Sequence, residues 1–360
     1  MSDIEVIAPF AIRNFKDDII RAMMDVWDDH TGIEASATAI RLTDTGGDQV
    51  LILKGSGFEV DAQGQMTGGT ITGITMKIGN QSVLGIAGIA IPLAQFADTL
   101  DEQRRTEVAD LFTAMDFTGS SGDDSIVGTG GSDMFEGRNG DDLFTGRGGG
   151  DAFVGGNGLD VVSYLLQNSA VTVNLHDPSQ NRGAAAGDSY DGIEGIFGSA
   201  HDDMLMGNGL RNGIIGMSGD DVMYGNRGND FIAAIRGDDT LIGGQGRDEL
   251  LGGAGRDTFV YTGVEDSTVA RGGRDNIGFF NEKNEDTIDV SQIDAIAGGS
   301  DDAFVFIGAG EFAGLGQIRA IKAGFNTLIE FNISGNNDAD MAIMLEGNHL
   351  KALGAGDFTL

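Results

Sequence analysis

The sequence has no cysteine, which excludes a disulfide framework, a thiolate metal site and a cysteine nucleophile. Three prolines in 360 residues exclude a proline-rich disordered linker, and sixty glycines without a Gly-X-Y period exclude collagen. Basic residues are scarce, 22 against 56 acidic, and the net charge of −34 argues against nucleic acid and anionic membrane surfaces as partners. The same balance suits a protein that meets cations. The apolar run VLGIAGIAIPLA, residues 83–94, is too short to cross about 30 Å of hydrocarbon as a helix. MSDIEVIAPFAIRNFKDD lacks the basic start and apolar run of a cleavable secretory signal. A soluble chain without a transmembrane segment is expected, long enough for two or three domains.

Three zones follow one another. In residues 1–118, Phe15, Ile19, Met23 and Trp27 recur four apart, predicting a helix capped by Asn14 and stopped at Gly32. The runs TAIRLTD, DQVLILKG, GTITGITMKIG and NQSVLGIAG then read as strands, and Leu93, Phe96, Leu100, Val108, Leu111 and Met115 as a second helix. This zone is expected to be a small α+β domain. Glycine-rich repeats occupy 119–163 and 198–260, divided by an insertion at 164–197 that carries the strand VTVNL. Residues 261–360 return to ordinary alternation, with DTIDVS, AFVFIG, GQIRAIK, NTLIEFN and DMAIML as strands of an antiparallel sheet or sandwich.

In register, the repeats are nonapeptides: five in 119–163, beginning GSSGDDSIV and ending GGNGLDVVS, and seven in 198–260, beginning GSAHDDMLM and ending GGAGRDTFV. Eleven of the twelve have aspartate at the sixth place and all twelve have an apolar eighth residue. A short strand with one inward apolar side chain, followed by a glycine-rich turn, is half a coil of a parallel β-helix. Repeats eighteen residues apart then stack, and their sixth-position aspartates converge, for example Asp124 with Asp142 or Asp239 with Asp257. Carboxylates and carbonyl oxygens around one gap form an all-oxygen site suited to calcium; zinc would want histidine or cysteine, and neither is placed here. Two like charges about 4 Å apart repel by roughly 4 kcal/mol at an effective dielectric near 20, so folding is expected to depend on the ion. Pairing each repeat with the one two places on gives three gaps in the first run and five in the second, an upper figure of roughly eight calcium ions. GNGLRNGII departs from the pattern with Leu210 and Asn212, and GSAHDDMLM with His201. Gaps touching these repeats are expected to be weak or empty.

These repeats resemble the RTX (hemolysin-type) calcium-binding nonapeptide, GGxGxDxUx with U apolar, and residues 252–295 and 314–347 resemble the C-terminal domain of serralysin-type proteases. The resemblance implies a mainly β fold: a calcium-bound parallel β-roll followed by a β-sandwich-like C-terminal cap, here preceded by the small α+β domain. It implies calcium ligation by Asp124, Asp133, Asp142, Asp151, Asp160, Asp203, Asp221, Asp230, Asp239, Asp248 and Asp257. It also implies export by a type I secretion apparatus through an uncleaved C-terminal signal, here Asp357, Phe358, Thr359 and Leu360. The roll would stay unfolded in a calcium-poor cytosol and fold outside, where extracellular modules bind with Kd near 10⁻⁴ to 10⁻³ M.

The protease half does not carry over, because none of His30, His176, His201 and His349 is followed by glutamate, so H-E-x-x-H is absent. Neither G-x-S-x-G nor G-x-x-x-x-G-K-[ST] occurs. Asp28, Asp29 and His30 read as a helix end rather than a metal or acid–base cluster. Asp338 and Asp340 read as a polar hairpin turn rather than a further calcium site. The leading reading is a secreted, non-enzymatic calcium-binding protein, located outside the cell or at its surface, with a structural, adhesive or matrix role and with self-association or a cell-surface glycan as its contacts. The alternatives place an enzymatic or pore-forming activity in residues 1–118.

Overall fold

A computed structural model describes residues 2–5, 30–36, 39–44, 49–60, 66–78, 81–92, 115–119, 121–281, 283, 285–296 and 302–360. The chain divides into two compact bodies, Met1–Ser163 with Ala184–Ile193, and Tyr164–Gly183 with Glu194–Leu360.

Eighteen-residue stacking governs both. In the first body, Ser125–Val127, Leu143–Thr145 and Val161–Ser163 form one parallel sheet. Met134–Asn139 and Ala152–Asn157 belong to the other, in register Phe135↔Phe153. The eighth-position residues Ile126, Phe135, Phe144, Phe153 and Val162 are all buried between the sheets. Each such side chain contributes roughly 1.5–3 kcal/mol of burial. The rings of Phe117, Phe135 and Phe153 stack at 5.0 and 4.9 Å, and Tyr190 continues the column at 5.9 Å from Phe153.

The second sheet of this body does not end at the first repeat. Met115–Thr118 pairs in parallel with Met134–Asn139 on one side and with Ser2–Glu5 on the other. Ser2–Glu5 in turn joins an antiparallel meander of Gln81–Pro92, Met66–Ile78, Gln49–Val60, Ala39–Asp44 and His30–Ser36. The four strand runs expected in this zone are therefore present, and the roll's ladder extends into them. His30 corrects one expectation: it opens a strand, two residues before the expected helix stop at Gly32, because this segment pairs with Ala39–Asp44. The rest of both expected helices lies outside the described residues, except Met115, which is in a strand.

In the second body, Val173, Leu205, Met223, Leu241, Phe259, Ile288 and Phe358 face inward from successive parallel strands. Opposite them run Ile196, Ile214, Ile232, Leu250, Ile277 and Leu345. The C-terminal strands continue these two sheets. Met341–Leu345 pairs in parallel with Asn276–Gly278 and antiparallel with Asn326–Asn332, which pairs with Gln317–Ala323. The insertion at 164–197 also supplies rungs, since Thr172–Asn174 pairs with Met204–Met206 in this body and Ser189–Asp191 with Ala152–Asn157 in the first. Among the described residues no helix is long and apolar enough to cross a membrane.

Candidate calcium ladder

Every stacked pair of loops is tied by the same bond. The Oδ1 of a sixth-position aspartate accepts the backbone N–H of the sixth residue one coil earlier. Asp124 N–H donates to Asp142 at 2.8 Å, Asp133 to Asp151 at 2.8 Å and Asp142 to Asp160 at 2.9 Å. In the second body the donors are Asp203 to Asp221, Asn212 to Asp230, Asp221 to Asp239, Asp230 to Asp248 and Asp239 to Asp257, at 2.7–3.2 Å. The sequence-predicted pairs are thus brought together, all eight of them.

The second carboxylate oxygen separates two kinds of loop. In Asp142, Asp151, Asp221, Asp230, Asp239, Asp248 and Asp257, Oδ2 is buried and has no hydrogen-bond partner among the described residues. An unsatisfied buried polar atom costs on the order of 1–3 kcal/mol, more when charged. Burial is the first cause that pushes these carboxyls up, to about 6 for Asp142, Asp239 and Asp248 and about 7 for Asp221, Asp230 and Asp257. Asp151 reaches about 8, and the charge of its stacked neighbours Asp188 and Asp133 adds to burial. The N–H bond to Oδ1 works in the opposite direction. Burial likewise raises Asp160 and Asp203.

Three of the loops that open the runs are closed instead. Thr129 N–H donates to Asp133 Oδ2 at 2.7 Å, Ser199 N–H to Asp203 Oδ2 at 2.5 Å and Asn208 N–H to Asn212 Oδ1 at 2.8 Å. In the same three loops the fourth residue donates back to the second side chain: Gly131 to Thr129 Oγ1, His201 to Ser199 Oγ and Leu210 to Asn208 Oδ1. These are side-chain-capped turns, and neither their second nor their fourth residue has positive φ.

The eight inner loops have positive φ at both places. The second residues are Arg138, Arg147, Gly156, Met217, Asn226, Ile235, Gly244 and Gly253; the fourth are all glycine, 140, 149, 158, 219, 228, 237, 246 and 255. That conformation turns the second N–H away from the carboxylate and leaves Oδ2 open in the seven aspartates named above. It explains the departures at His201 and Leu210. A β-carbon on Gly219 or Gly228 would collide with the backbone of His201 or Leu210 one coil below, whereas no nonapeptide lies below those two residues themselves. Asn212 fits its closed loop because its Nδ2 donates to Glu194 O at 3.2 Å.

The open oxygens have the surroundings a hard cation needs. A β-carbon on Gly137 would collide with Asp142 Oδ2 and with the Gly155 carbonyl oxygen of the next coil; one on Gly225 would collide with Asp230 Oδ2 and Gly243 O. The first residue of these inner loops thus marks where a carboxylate and a neighbouring carbonyl converge, and calcium takes such mixed oxygen ligands. Ala234 is the one non-glycine at this place. Among the described residues no three acidic or histidine side chains form a cluster, so carbonyl oxygens must complete each shell.

Three ladder members escape nonapeptide counting. Asp188, Asp275 and Asp286 accept the N–H groups of Asp151, Asp248 and Asp257 after 37, 27 and 29 residues, at 2.8, 2.8 and 2.9 Å. Each keeps the repeat's aspartate-x-apolar signature, through Tyr190, Ile277 and Ile288. At the far end, Asp357 Oδ2 accepts Gly354 N–H at 2.7 Å, Phe358–Thr359 pairs with Thr287–Asp289, and the Phe358 ring lies 5.1 Å from Phe306; Leu360 follows as the last residue. Asp340 accepts Ile333 and Ser334 N–H at 2.7 and 2.8 Å, the hairpin turn expected there.

Residues 192–358 match the family model described as Peptidase M10 serralysin C terminal. Residues 118–153 and 127–162 match that of the RTX calcium-binding nonapeptide repeat (4 copies). No protease domain matches beside them. None of the curated proteins matches the chain. Among solved structures, the chain is similar to the AlgE6R2 subunit of the Azotobacter vinelandii mannuronan C5-epimerase, at 25% identity over 43% of this chain and 90% of that one, with a TM-score of 0.33. For the AlgE6R3 subunit of the same organism's enzyme the figures are 29%, 44%, 77% and 0.24. For the extracellular lipase LipA from Serratia marcescens they are 21%, 69%, 40% and 0.27. RTX nonapeptides bind calcium, and their combination with a serralysin-type C-terminal domain is typical of type I-secreted extracellular proteins.

Proposed function

From a chain that carries RTX calcium-binding nonapeptide repeats and a serralysin-type C-terminal domain, we propose a secreted, non-enzymatic protein whose rolls fold on calcium outside the cell and serve a structural, adhesive or matrix role. The observation that carries this reading is the row of buried Oδ2 atoms without a hydrogen-bond partner among the described residues in Asp142, Asp151, Asp221, Asp230, Asp239, Asp248 and Asp257. A carboxylate buried without a partner is an unstable arrangement, and a divalent ion between coils removes the cost. One ion per inner loop gives eight, three in the first run and five in the second, with Asp142, Asp151, Asp160, Asp221, Asp230, Asp239, Asp248 and Asp257 each contributing a carboxylate. Asp124 contributes at the lower side of its gap, whereas Asp133 and Asp203 border theirs with both carboxylate oxygens already hydrogen-bonded.

Residues 357–360 act in export, read by the type I apparatus before the roll folds. Their place in the sheet supports that order, since Phe358 is buried once the fold is complete. The non-enzymatic role is supported by the continuity of the first body's sheet, in which the strands of residues 2–118 extend the ladder. The test is light-scattering mass and circular dichroism of the full chain in millimolar calcium and in chelator. Calcium-dependent β-structure with ordered self-association is the expected result. A calcium-folded monomer that turns over a substrate would overturn the non-enzymatic role, and unchanged β-structure would overturn the calcium-coupled roll.

A further inference from the structure

The fifth place of the nonapeptide is unconstrained by its consensus, and in the second body it sorts by charge. Successive loops alternate between the two edges of the roll, because successive strands alternate between its two sheets. On one edge the fifth places are Arg211, Asn229 and Arg247, and Arg274 precedes Asp275, the ladder place after Asp248. On the other edge they are Asp202, Asp220, Asp238 and Arg256. Neighbours in either column are one coil apart, about 4.8 Å.

The arginine edge is not neutralised from within. Arg211, Arg247 and Arg271 are exposed and, like Arg274, form no ion pair among the described residues, whereas Arg138, Arg256 and Arg319 do. Two grooves follow this edge, one lined by Arg211, Asn229 and Arg247 and the next by Arg247, Arg271 and Arg274. Arg274 Nε is buried without a hydrogen-bond partner among the described residues. Glu249 and Glu346 border the grooves, and Glu346 is already engaged by the Asn276 amide at 2.8 Å. A guanidinium fork matches a carboxylate with two parallel bonds, so this edge fits carboxylates repeated at coil spacing.

The opposite edge presents such a row. Asp220 N–H donates to Asp202 Oδ1 at 2.9 Å and Asp238 N–H to Asp220 Oδ1 at 2.8 Å, which fixes both side chains along the edge. All three aspartates are exposed; Arg256 takes Asp238 at 3.0 Å, whereas Asp202 and Asp220 form no ion pair among the described residues. Arg236, at a third place, is a further cation on that edge.

We propose that the arginine edge of the second body docks the Asp202–Asp220 edge of a second copy of this chain, so that rolls join side by side. The contact rests on the self-association in the proposed function and names the surfaces that make it. Because the two surfaces lie on opposite edges, the contact is heterologous. Each joined copy still offers one edge of each sign, and the assembly grows as an open row instead of closing as a symmetric dimer.

The test is sedimentation velocity of the full-length protein in millimolar calcium, with bound calcium counted, for wild type, Arg211→Glu with Arg247→Glu, and Asp202→Asn with Asp220→Asn. The amides keep the Oδ1 acceptors between coils. Wild type is expected to form a series of oligomers that weakens in high salt. Each variant alone is expected to sediment as a monomer with an unchanged calcium count, and their equimolar mixture as a dimer joined through the one intact pair of edges. Association unchanged in both variants overturns this contact and leaves the proposed function standing. A wild type that stays monomeric in calcium overturns the contact and the self-association together, with the calcium-coupled roll untouched. Loss in the aspartate variant alone means calcium bridging between acidic surfaces, and loss in the arginine variant alone means another acidic partner; either overturns the pairing. Should the aspartate variant not fold, the arginine variant is added to wild type: shortened oligomers are expected, and unchanged ones overturn the contact.

Discussion

The opening loops and the inner loops share a nonapeptide frame and differ in where one N–H points. In the loop 198–203, Ser199 donates to Asp203 and closes the carboxylate; in the loop 216–221, Met217 has φ 84° and Asp221 Oδ2 stays open. The first arrangement satisfies itself and ends a stack. The second is unstable alone and needs an ion. A repeat array built only of the second kind would have no terminus that is stable without metal, which is the capping problem common to solenoids.

Chelation tests the contrast most severely. Removing calcium at pH 7.5 is expected to abolish most of the roll's β-signal in circular dichroism, because the inner carboxylates would then face one another buried. Retention of the signal would mean the open oxygens carry no ion.

Acid should partly reverse that loss. The inner carboxyls are raised in the folded state, so in chelator their contribution favours folding fully below the ordinary aspartate value of 3.8 and is lost as pH rises through about 6 to 8. Lowering the pH of the chelated protein from 8 to 4 is therefore expected to restore β-structure. In calcium the dependence reverses, since protons compete with the ion for the same oxygens.

Single substitutions sharpen the comparison further. Asp221→Ala in an inner loop is expected to lose bound calcium, and at a hundredfold excess of calcium over Kd each lost ion costs about 2.7 kcal/mol. Asp203→Asn in an opening loop should keep the ion count, because Asn212 already shows that an amide fits a closed loop. Calcium counting on the two variants separates them; equal losses would erase the distinction between loop types.

The smallest effect concerns φ itself. Ile235 is β-branched with φ 86°, a strain on the order of 1 kcal/mol, so Ile235→Gly should raise the melting temperature in calcium. Leu210→Gly should bring no such gain, since Leu210 has no positive φ to relieve.

Much of this was legible beforehand. A sixth-position carboxylate and an eighth-position apolar residue at fixed period specify both the stacking and the interior, and Phe144 or Leu241 is buried where the period puts it. Asp188, Asp275 and Asp286 were not found, because spacers of 37, 27 and 29 residues break the period although the coil geometry continues. His201 and Leu210 depart from the consensus where the loop conformation differs, and φ is not written in a nonapeptide consensus. The pairing of Met115–Thr118 with Ser2–Glu5 depends on contacts more than a hundred residues apart, and no local pattern announces it.

The aromatic column of the first body has an optical consequence. Neighbouring rings in Phe117, Phe135, Phe153 and Tyr190 lie within 16° of parallel, and Tyr190 is the only tyrosine in that body. Its chromophore is held in a fixed chiral array only while the coils are assembled. Near-ultraviolet dichroism that vanishes in Tyr190→Phe would therefore read the assembly of the first run by itself, an internal probe that needs no label.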